Sequence, residues 1–303
     1  MKMTLKQILP VKPYPRRHFL KLTGFAAGSF FFPGLRRPGQ ESWTVGQIMD
    51  RFIREVPGAP FRITVDTLKS GSRDTVVTGI VTTMFPTIPV IEKTIALKAN
   101  FIIVHEPSFY NHLDETDWLE NDEVFRYKSA LLEKHKIAVW RNHDYIHRHQ
   151  PDGVMAGVLE DLGWTSRYDE ESGIIELENP MNLKSLIKQL KKGLDISHLR
   201  YIGHVTQSCK KILLMPGASG GRRQIDRIGK TKPDVAICGE LQEWETAEYI
   251  RDARAKGQTV SLIVLGHIPS EEPGSRYMAQ WIRNNIPGMK VTHIPAENPF
   301  SYS

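Results

Sequence analysis

From Thr44 onward, short β-branched apolar runs alternate with segments whose apolar residues recur at helical spacing. This alternation is the strongest constraint on the fold, because strands separated by helices pack as an α/β protein rather than as a bundle or an all-β sandwich. The spacing predicts strands over 61–66, 76–82, 100–105, 137–142, 173–178, 210–215, 234–238, 260–265 and 289–294. It predicts helices over 44–56, 87–98, 119–134, 151–162, 182–193, 221–230, 242–256 and 271–285. With 303 residues, 40% hydrophobic and 24% charged, the chain is long enough for one large domain or two modest ones with a real core. A lobe boundary is expected between Gly163 and Asn182. There Asp169-Glu170-Glu171-Ser172-Gly173 reads as a hairpin turn and Asn179-Pro180 as a break.

The formal charge of +6 is unevenly placed. Residues 1–40 hold eight Lys or Arg and no acid, so residues 41–303 sum to −2. A body at −2 carries no electrostatic footprint for nucleic acid, and no nucleic-acid partner is expected. Arg16-Arg17-His18-Phe19-Leu20-Lys21, followed by the Gly- and Ala-rich stretch from Leu22 to Phe32, resembles a twin-arginine export signal. That likeness makes residues 1–40 an address read by the twin-arginine machinery. It implies a periplasmic or extracytoplasmic destination reached in the folded state. Cys209 and Cys238 are expected as buried thiols, since Cys238 lies in the apolar run Val235-Ala236-Ile237-Cys238 and no Cys-x-x-Cys occurs. The loop from Ser108 to Asp117 is expected to be a solvated connection rather than a lid.

Chemistry concentrates where strands end. Phe101-Ile102-Ile103-Val104 runs into His105-Glu106-Pro107; Val139-Trp140 runs into Arg141-Asn142-His143-Asp144 and on to His147; Ile263-Val264-Leu265 runs into Gly266-His267, with Glu271 four residues on. In open α/β sheets ligands bind at the carboxyl ends of strands, so three strands here aim imidazoles and carboxylates at one edge. Histidine with carboxylate and no thiolate suits Zn, Fe, Mn or Co rather than Ca or Mg. Glu106 precedes Pro107 and is held extended, so it diverges from His105, and adjacent ligands splayed in this way can address two ions. Ser270 reads as an N-cap that places Glu271 in the first turn of the last helix, where a carboxylate is favoured even without a metal.

At these residues the sequence resembles the Nif-three-like (NGG-interacting factor three) dinuclear-metal family, also labelled GTP cyclohydrolase one type two. Phe101-Ile102-Ile103-Val104-His105-Glu106-Pro107 is similar to the family's strand ending in His-His-Pro, with Glu106 in place of the second His. His143-Asp144-Tyr145-Ile146-His147 is similar to its His-Thr-Asn-Leu-Asp, with His147 in place of Asp, and Gly266-His267-Ile268-Pro269-Ser270-Glu271 fits its Gly-His-x-x-Ser-Glu. Gly217-Ala218-Ser219-Gly220-Gly221 and Cys238-Gly239-Glu240 are similar to two further family loops, whereas Trp244 stands where a His is common. The resemblance implies two α/β lobes with mixed sheets and two divalent ions in the cleft between them. It places residues 41–165 with 261–303 in the metal-binding lobe and 166–260 in the second lobe, assembled as trimers or a hexamer. It assigns His105 and His267 to one ion, Glu106 and His147 to the other, and Glu271 to a bridge. The two substitutions then read as a donor exchange within one sphere.

Two functions fit these expectations. In a metal-dependent hydrolase acting on a small molecule, paired ions lower the pKa of water and clamp a carbonyl, ring-carbon or phosphoryl centre. His143, Asp144 and Glu240 are then the candidate acid/base residues, and Arg222 and Arg223 beside the Ser219-Gly220-Gly221 turn would favour an anionic substrate. In a non-catalytic metal-binding assembly, the same ions are stored, delivered or used as structural pins.

Overall fold

A computed structural model describes residues 42–303; the Arg16-Arg17 segment and the rest of the proposed export signal lie outside the described residues. In chain order the strands are β1 (Leu68–Ser70), β2 (Ile80–Thr83), β3 (Phe101–Val104), β4 (Ala138–Arg141), β5 (Tyr168–Asp169), β6 (Ile174–Asn182), β7 (Arg200–Ile202), β8 (Ser208–Met215), β9 (Val235–Cys238), β10 (Ser261–Val264) and β11 (Val291–His293). The α-helices are α1 (Val45–Ile53), α2 (Ile88–Ala96), α3 (Glu123–Lys134), α4 (Asp144–Arg148), α5 (Gly153–Leu162), α6 (Leu183–Gly193), α7 (Gly221–Thr231), α8 (Glu248–Ala255) and α9 (His267–Asn285).

Two mixed sheets result, as the alternation predicts. The first has the order β1-β4-β3-β2-β11, all parallel except β1, and the second the order β5-β6-β8-β9-β10-β7, with β8, β9 and β10 parallel. Every residue of β2, β3, β4, β9 and β10 is buried, the mark of parallel strands covered on both faces. The period of two divides each strand between two cores. Ile80, Phe101, Ile103 and Trp140 face α1 and α9, while Val81, Ile102, Val104 and Val139 face α2 and α3. In the second sheet Ile212, Leu214, Ile237 and Ile263 face α5 and α6, while Leu213, Met215, Cys238 and Leu262 face α7 and α8. Cys209 and Cys238 are both free and buried.

Local chemistry explains most element starts. Thr44 forms a reciprocal capping box with Gln47, and Thr87, Asp122, Asp152 and Asn182 each accept a backbone N–H at the start of a helix. The expected 169–173 turn joins β5 to β6, and Asn179-Pro180 falls where the β6–β8 register shifts between Glu176 and Met181.

Three expectations need correction. Residues 61–66 form no strand: Asp66 is used instead to cap α4, its carboxylate accepting the N–H groups of His143, Asp144 and Tyr145, and the strand follows at β1. The last helix begins at His267, so Ser270 is not its cap; the Ser270 hydroxyl accepts the Gly217 N–H and donates to the His267 carbonyl. Within 261–303, β10 pairs with β9 in the second sheet, and only α9 and β11 return to the first.

The helix α9 crosses α5 at very short range. A Cβ at Gly157 would lie 2.4 Å from the Pro273 carbonyl oxygen, and one at Gly274 2.8 Å from the Val154 side chain. These glycines let the two backbones approach, and α5 feeds both cores through Val154 on one side and Val158 and Leu162 on the other.

Candidate metal centre

The ends of β3, β4 and β10 deliver the predicted residues to one place. His105 and Glu106 follow β3, His143 precedes α4 and His147 lies within it, and His267 opens α9 with Glu271 one turn later. His105, Glu106 and Glu271 are buried, at 4%, 7% and 4% exposure. One ligand atom each from His105, His143 and His147 lies within 4.8 Å of the others, and the same holds for His105, Glu106 and Glu271.

Glu271 stands at the centre. Its Oε2 is 2.9 Å from His267 Nε2 and 3.4 Å from His105 Nε2, while its Oε1 is 4.0 Å from His147 Nε2. Glu106 Oε1 is 3.2 Å from His267 Nε2 and 3.8 Å from His143 Nε2. The His105 and His143 rings stack at 4.8 Å, and His147 meets both edge-on at 5.0 Å. His143, assigned from the sequence to acid/base work, thus sits among the ligand candidates.

The outer ring nitrogens are held by carboxylates. His147 Nδ1 pairs with Asp152 Oδ2 at 3.0 Å, His143 Nδ1 with Asp144 Oδ1 at 3.0 Å, and His267 Nδ1 with Glu240 Oε2 at 3.1 Å. Carboxylate behind imidazole is the usual support of a metal-binding histidine, fixing ring orientation and raising donor strength. Asp144 and Glu240, the other two acid/base candidates, occupy these supporting positions; Asp144 also accepts from the Thr64 hydroxyl and the Val65 N–H. Asp152 was not singled out in the sequence, and its signal there was only that of a helix cap.

His105 differs from the other three histidines. Both ring nitrogens are buried and neither makes a well-aligned hydrogen bond: Nδ1 has no partner, and Nε2 meets only the Glu271 carboxylate, at 3.4 Å. Buried polar atoms are normally paired, and leaving one unpaired costs about 1–3 kcal/mol. A divalent ion is a partner that an imidazole so placed can take, and the residues present therefore fit a metal.

The electrostatics suit the same role at the two carboxylates and at His143, whereas His267 must give up a proton to bind a cation. Burial opposes charge on the His267 ring, but Glu106, Glu240 and Glu271 together push its pKa up to about 12. Burial, with His105 and His147 alongside, pushes His143 down to about 4. Burial works against ionised Glu271, yet His105 and His267 hold it well below the usual carboxylate range, and Glu106 is lowered against its own burial by His267 and His105. Ionised carboxylates and a neutral His143 are the forms that bind a cation.

These groups open onto a cavity of about 1750 Å³, walled by Phe61, Phe85 and Ile88 and reached by Arg148 and Arg223. Gly217 and Gly239, at the ends of β8 and β9, press on the head of α9: a Cβ on Gly239 would lie 2.3 Å from the Ser270 hydroxyl. The Ser219-Gly220-Gly221 turn is not an empty anion cradle, because its Gly221 N–H donates to Glu245 Oε2. Trp244 is 73% exposed on the π-helical turn before α8. Asp114 is no solvated loop residue; its side chain is 2% exposed and pairs with Lys69 and Arg141.

The family model described as Duf34/NIF3 (NGG1p interacting factor 3) matches residues 65–299, a span that includes every residue of this cluster. The chain belongs to the Duf34/NIF3 family. It is similar to a GTP cyclohydrolase 1 type 2 homolog of Clostridium perfringens, 26% identical over 251 residues, covering 78% of this chain and 90% of that protein. A protein of the same description from Clostridium acetobutylicum is 23% identical over 235 residues, covering 74% and 83%. Among solved structures, the fold matches a Bacillus cereus protein related to NIF3 at a TM-score of 0.69 and 14% identity, over 87% of this chain and 100% of that one. A Staphylococcus aureus protein matches at a TM-score of 0.69 and 18% identity, over 87% and 100%. NIF3-family membership and these His and Glu groups make the cluster a candidate metal-binding site, with His105 common to both groups.

Proposed function

We propose that the protein is an exported metal-dependent hydrolase that holds two divalent ions, Zn, Fe, Mn or Co, in the cleft between its two sheets. The observation that carries the reading is His105, whose buried Nδ1 lacks a partner and whose Nε2 meets only the shared carboxylate Glu271. Glu271 presents one oxygen towards His105 and His267 and the other towards His147, the division expected of a bridging carboxylate. Bound ions would supply Lewis-acid polarisation of a carbonyl or phosphoryl oxygen. The chain's own residues do the rest. Asp144, Asp152 and Glu240 orient the rings, and Phe61 and Phe85 give the cavity apolar walls. Arg148 and Arg223 have no carboxylate within salt-bridge distance among the described residues, so both are available to a small anionic substrate. The Arg16-Arg17 motif supports export by the twin-arginine route, and the resemblance of the site motifs supports a trimer or hexamer.

A second reading, a non-catalytic metal-binding assembly, is favoured by one observation: Asp144 and Glu240, two of the three acid/base candidates, are already engaged with histidine rings. Metal analysis of the purified chain beside a screen of phosphoesters, esters and amides separates the two. Two ions per chain with turnover abolished by chelation supports the hydrolase. Bound ions with no turnover leaves the assembly. A chain that takes up no divalent metal removes both.

A further inference from the structure

Arg141 ends β4 with its side chain fully buried, at 0% exposure. A guanidinium removed from water is tolerated only where its charge and donors are met. Here Nε donates to the His105 carbonyl at 3.3 Å, Nη1 to the His112 carbonyl and to Asp114 Oδ2 at 3.5 Å, and Nη2 to Glu106 Oε2 at 3.2 Å. Asp114 Oδ2 is also 3.2 Å from Lys69 Nζ. Two cations and two carboxylates, all with side chains less than a tenth exposed, make a chain of ion pairs at the back of the site.

Glu106 belongs both to that group and to the candidate metal centre, and its two oxygens are divided between them. Oε2 goes to Arg141, while Oε1 faces His267 and His143. Glu106 also stands where the sequence resemblance expects an imidazole, which needs no buried cation behind it. A carboxylate there does. We infer that Arg141 is a positioning residue for Glu106: it fixes the carboxylate with Oε1 aimed at the centre, so that Glu106 and Arg141 act as one unit in place of a single histidine. The same guanidinium fastens Asp114, whose Oδ1 accepts the Ser108 and Phe109 N–H groups at 2.7 and 2.9 Å. Arg141 therefore links the donor at 106 to the turn carrying His112 to the cavity wall, a turn that Lys69 also holds through Asp114. The inference rests on the metal-binding reading of the site.

The test is calorimetric titration of the chelator-stripped full chain with zinc alone, with melting temperatures of the stripped proteins measured in parallel. Arg141→Lys keeps the charge but loses the planar fork. It is expected to weaken zinc binding by about 10–100-fold, the range for lost outer-shell partners. Glu106→His alone puts an imidazole against the buried guanidinium, which keeps only the Asp114 carboxylate, and should also bind zinc weakly, whereas Glu106→His with Arg141→Met, which removes the buried pair together, should restore binding. A merely structural Arg141 would lower the melting temperature without moving the zinc affinity of the folded protein, and would do so equally with Glu or His at position 106. Wild-type zinc affinity in Arg141→Lys, or a double variant no better than Glu106→His, overturns the inference while leaving metal binding intact. If Arg141→Lys does not fold, the comparison of Glu106→His with the double variant decides. A wild-type chain that binds no zinc ends the metal-binding reading first, and this inference with it.

Discussion

Gly217 and Glu271 occupy each other's space: a Cβ on Gly217 would lie 2.0 Å from Glu271 Oε1. Gly217 also has φ +66°, a left-handed conformation that side chains rarely adopt. Gly217→Ala is therefore expected to displace the Glu271 carboxylate as well as strain the turn. Stability should fall by about 1–3 kcal/mol in chemical denaturation, and metal content should fall with it. A variant that keeps its full metal content would show that the Glu271 carboxylate can move without consequence.

His105 sets apart the stabilities of the metal-free and metal-bound forms. Replacing it by Phe, close in shape and without polar atoms, removes one unpaired buried nitrogen, Nδ1. It also removes the imidazole 3.4 Å from the buried Glu271 carboxylate, so the metal-free variant should be less stable than the wild type, by about 1–3 kcal/mol. Added zinc should raise the wild-type melting temperature, by linkage to native-state binding, and leave His105→Phe unmoved. Differential scanning fluorimetry with and without chelator reads both outcomes.

Lys128 gives a pH dependence with a definite sign. Burial pushes its ammonium from 10.5 down to about 8, only partly offset by Asp114, while its Nζ donates to the Ser108 carbonyl. Between those two values the unfolded chain binds more protons than the folded one at this residue. Its contribution to stability therefore rises with pH across that window. Urea denaturation from pH 7 to 10 should show the wild type gaining stability relative to Lys128→Met as pH rises. Parallel curves for the two proteins would contradict a depressed Lys128.

Export is tested separately from the site. Arg16→Lys with Arg17→Lys should leave the protein in the cytoplasm, folded and with unchanged metal content, because the change lies before the described domain. Fractionation that finds it still exported would remove the twin-arginine assignment.

Much of the site was legible in the sequence because strand-end histidines and carboxylates announce themselves by position. His105, Glu106, His147, His267 and Glu271 follow runs of apolar, β-branched residues whose direction fixes the edge they share. What supports them was not legible. Asp66 and Asp114 look like ordinary loop acids, and their tasks, capping α4 and pairing with Arg141, depend on contacts 77 and 27 residues away in the chain. Arg141 had a signal, since a carboxylate standing in for an imidazole calls for a nearby cation, but no local rule says which one. The start of α9 was misjudged because a Ser before a Glu reads as a cap, whereas Gly266 at φ +96° already turns the chain into the helix. The short strands β1, β5 and β7 hold two or three residues each and leave no period to detect.

The course of α9 has a mechanical consequence. The helix leaves the second sheet at β10, carries His267 and Glu271 in its first turns, and hands the chain to β11 of the first sheet. His105, Glu106, His143 and His147 are anchored to the first sheet alone. Because the rest of α9 packs into the first core, a twist of one sheet against the other bears on the short turn between β10 and His267, and an ion held there under the proposed reading would work as a rivet across that joint.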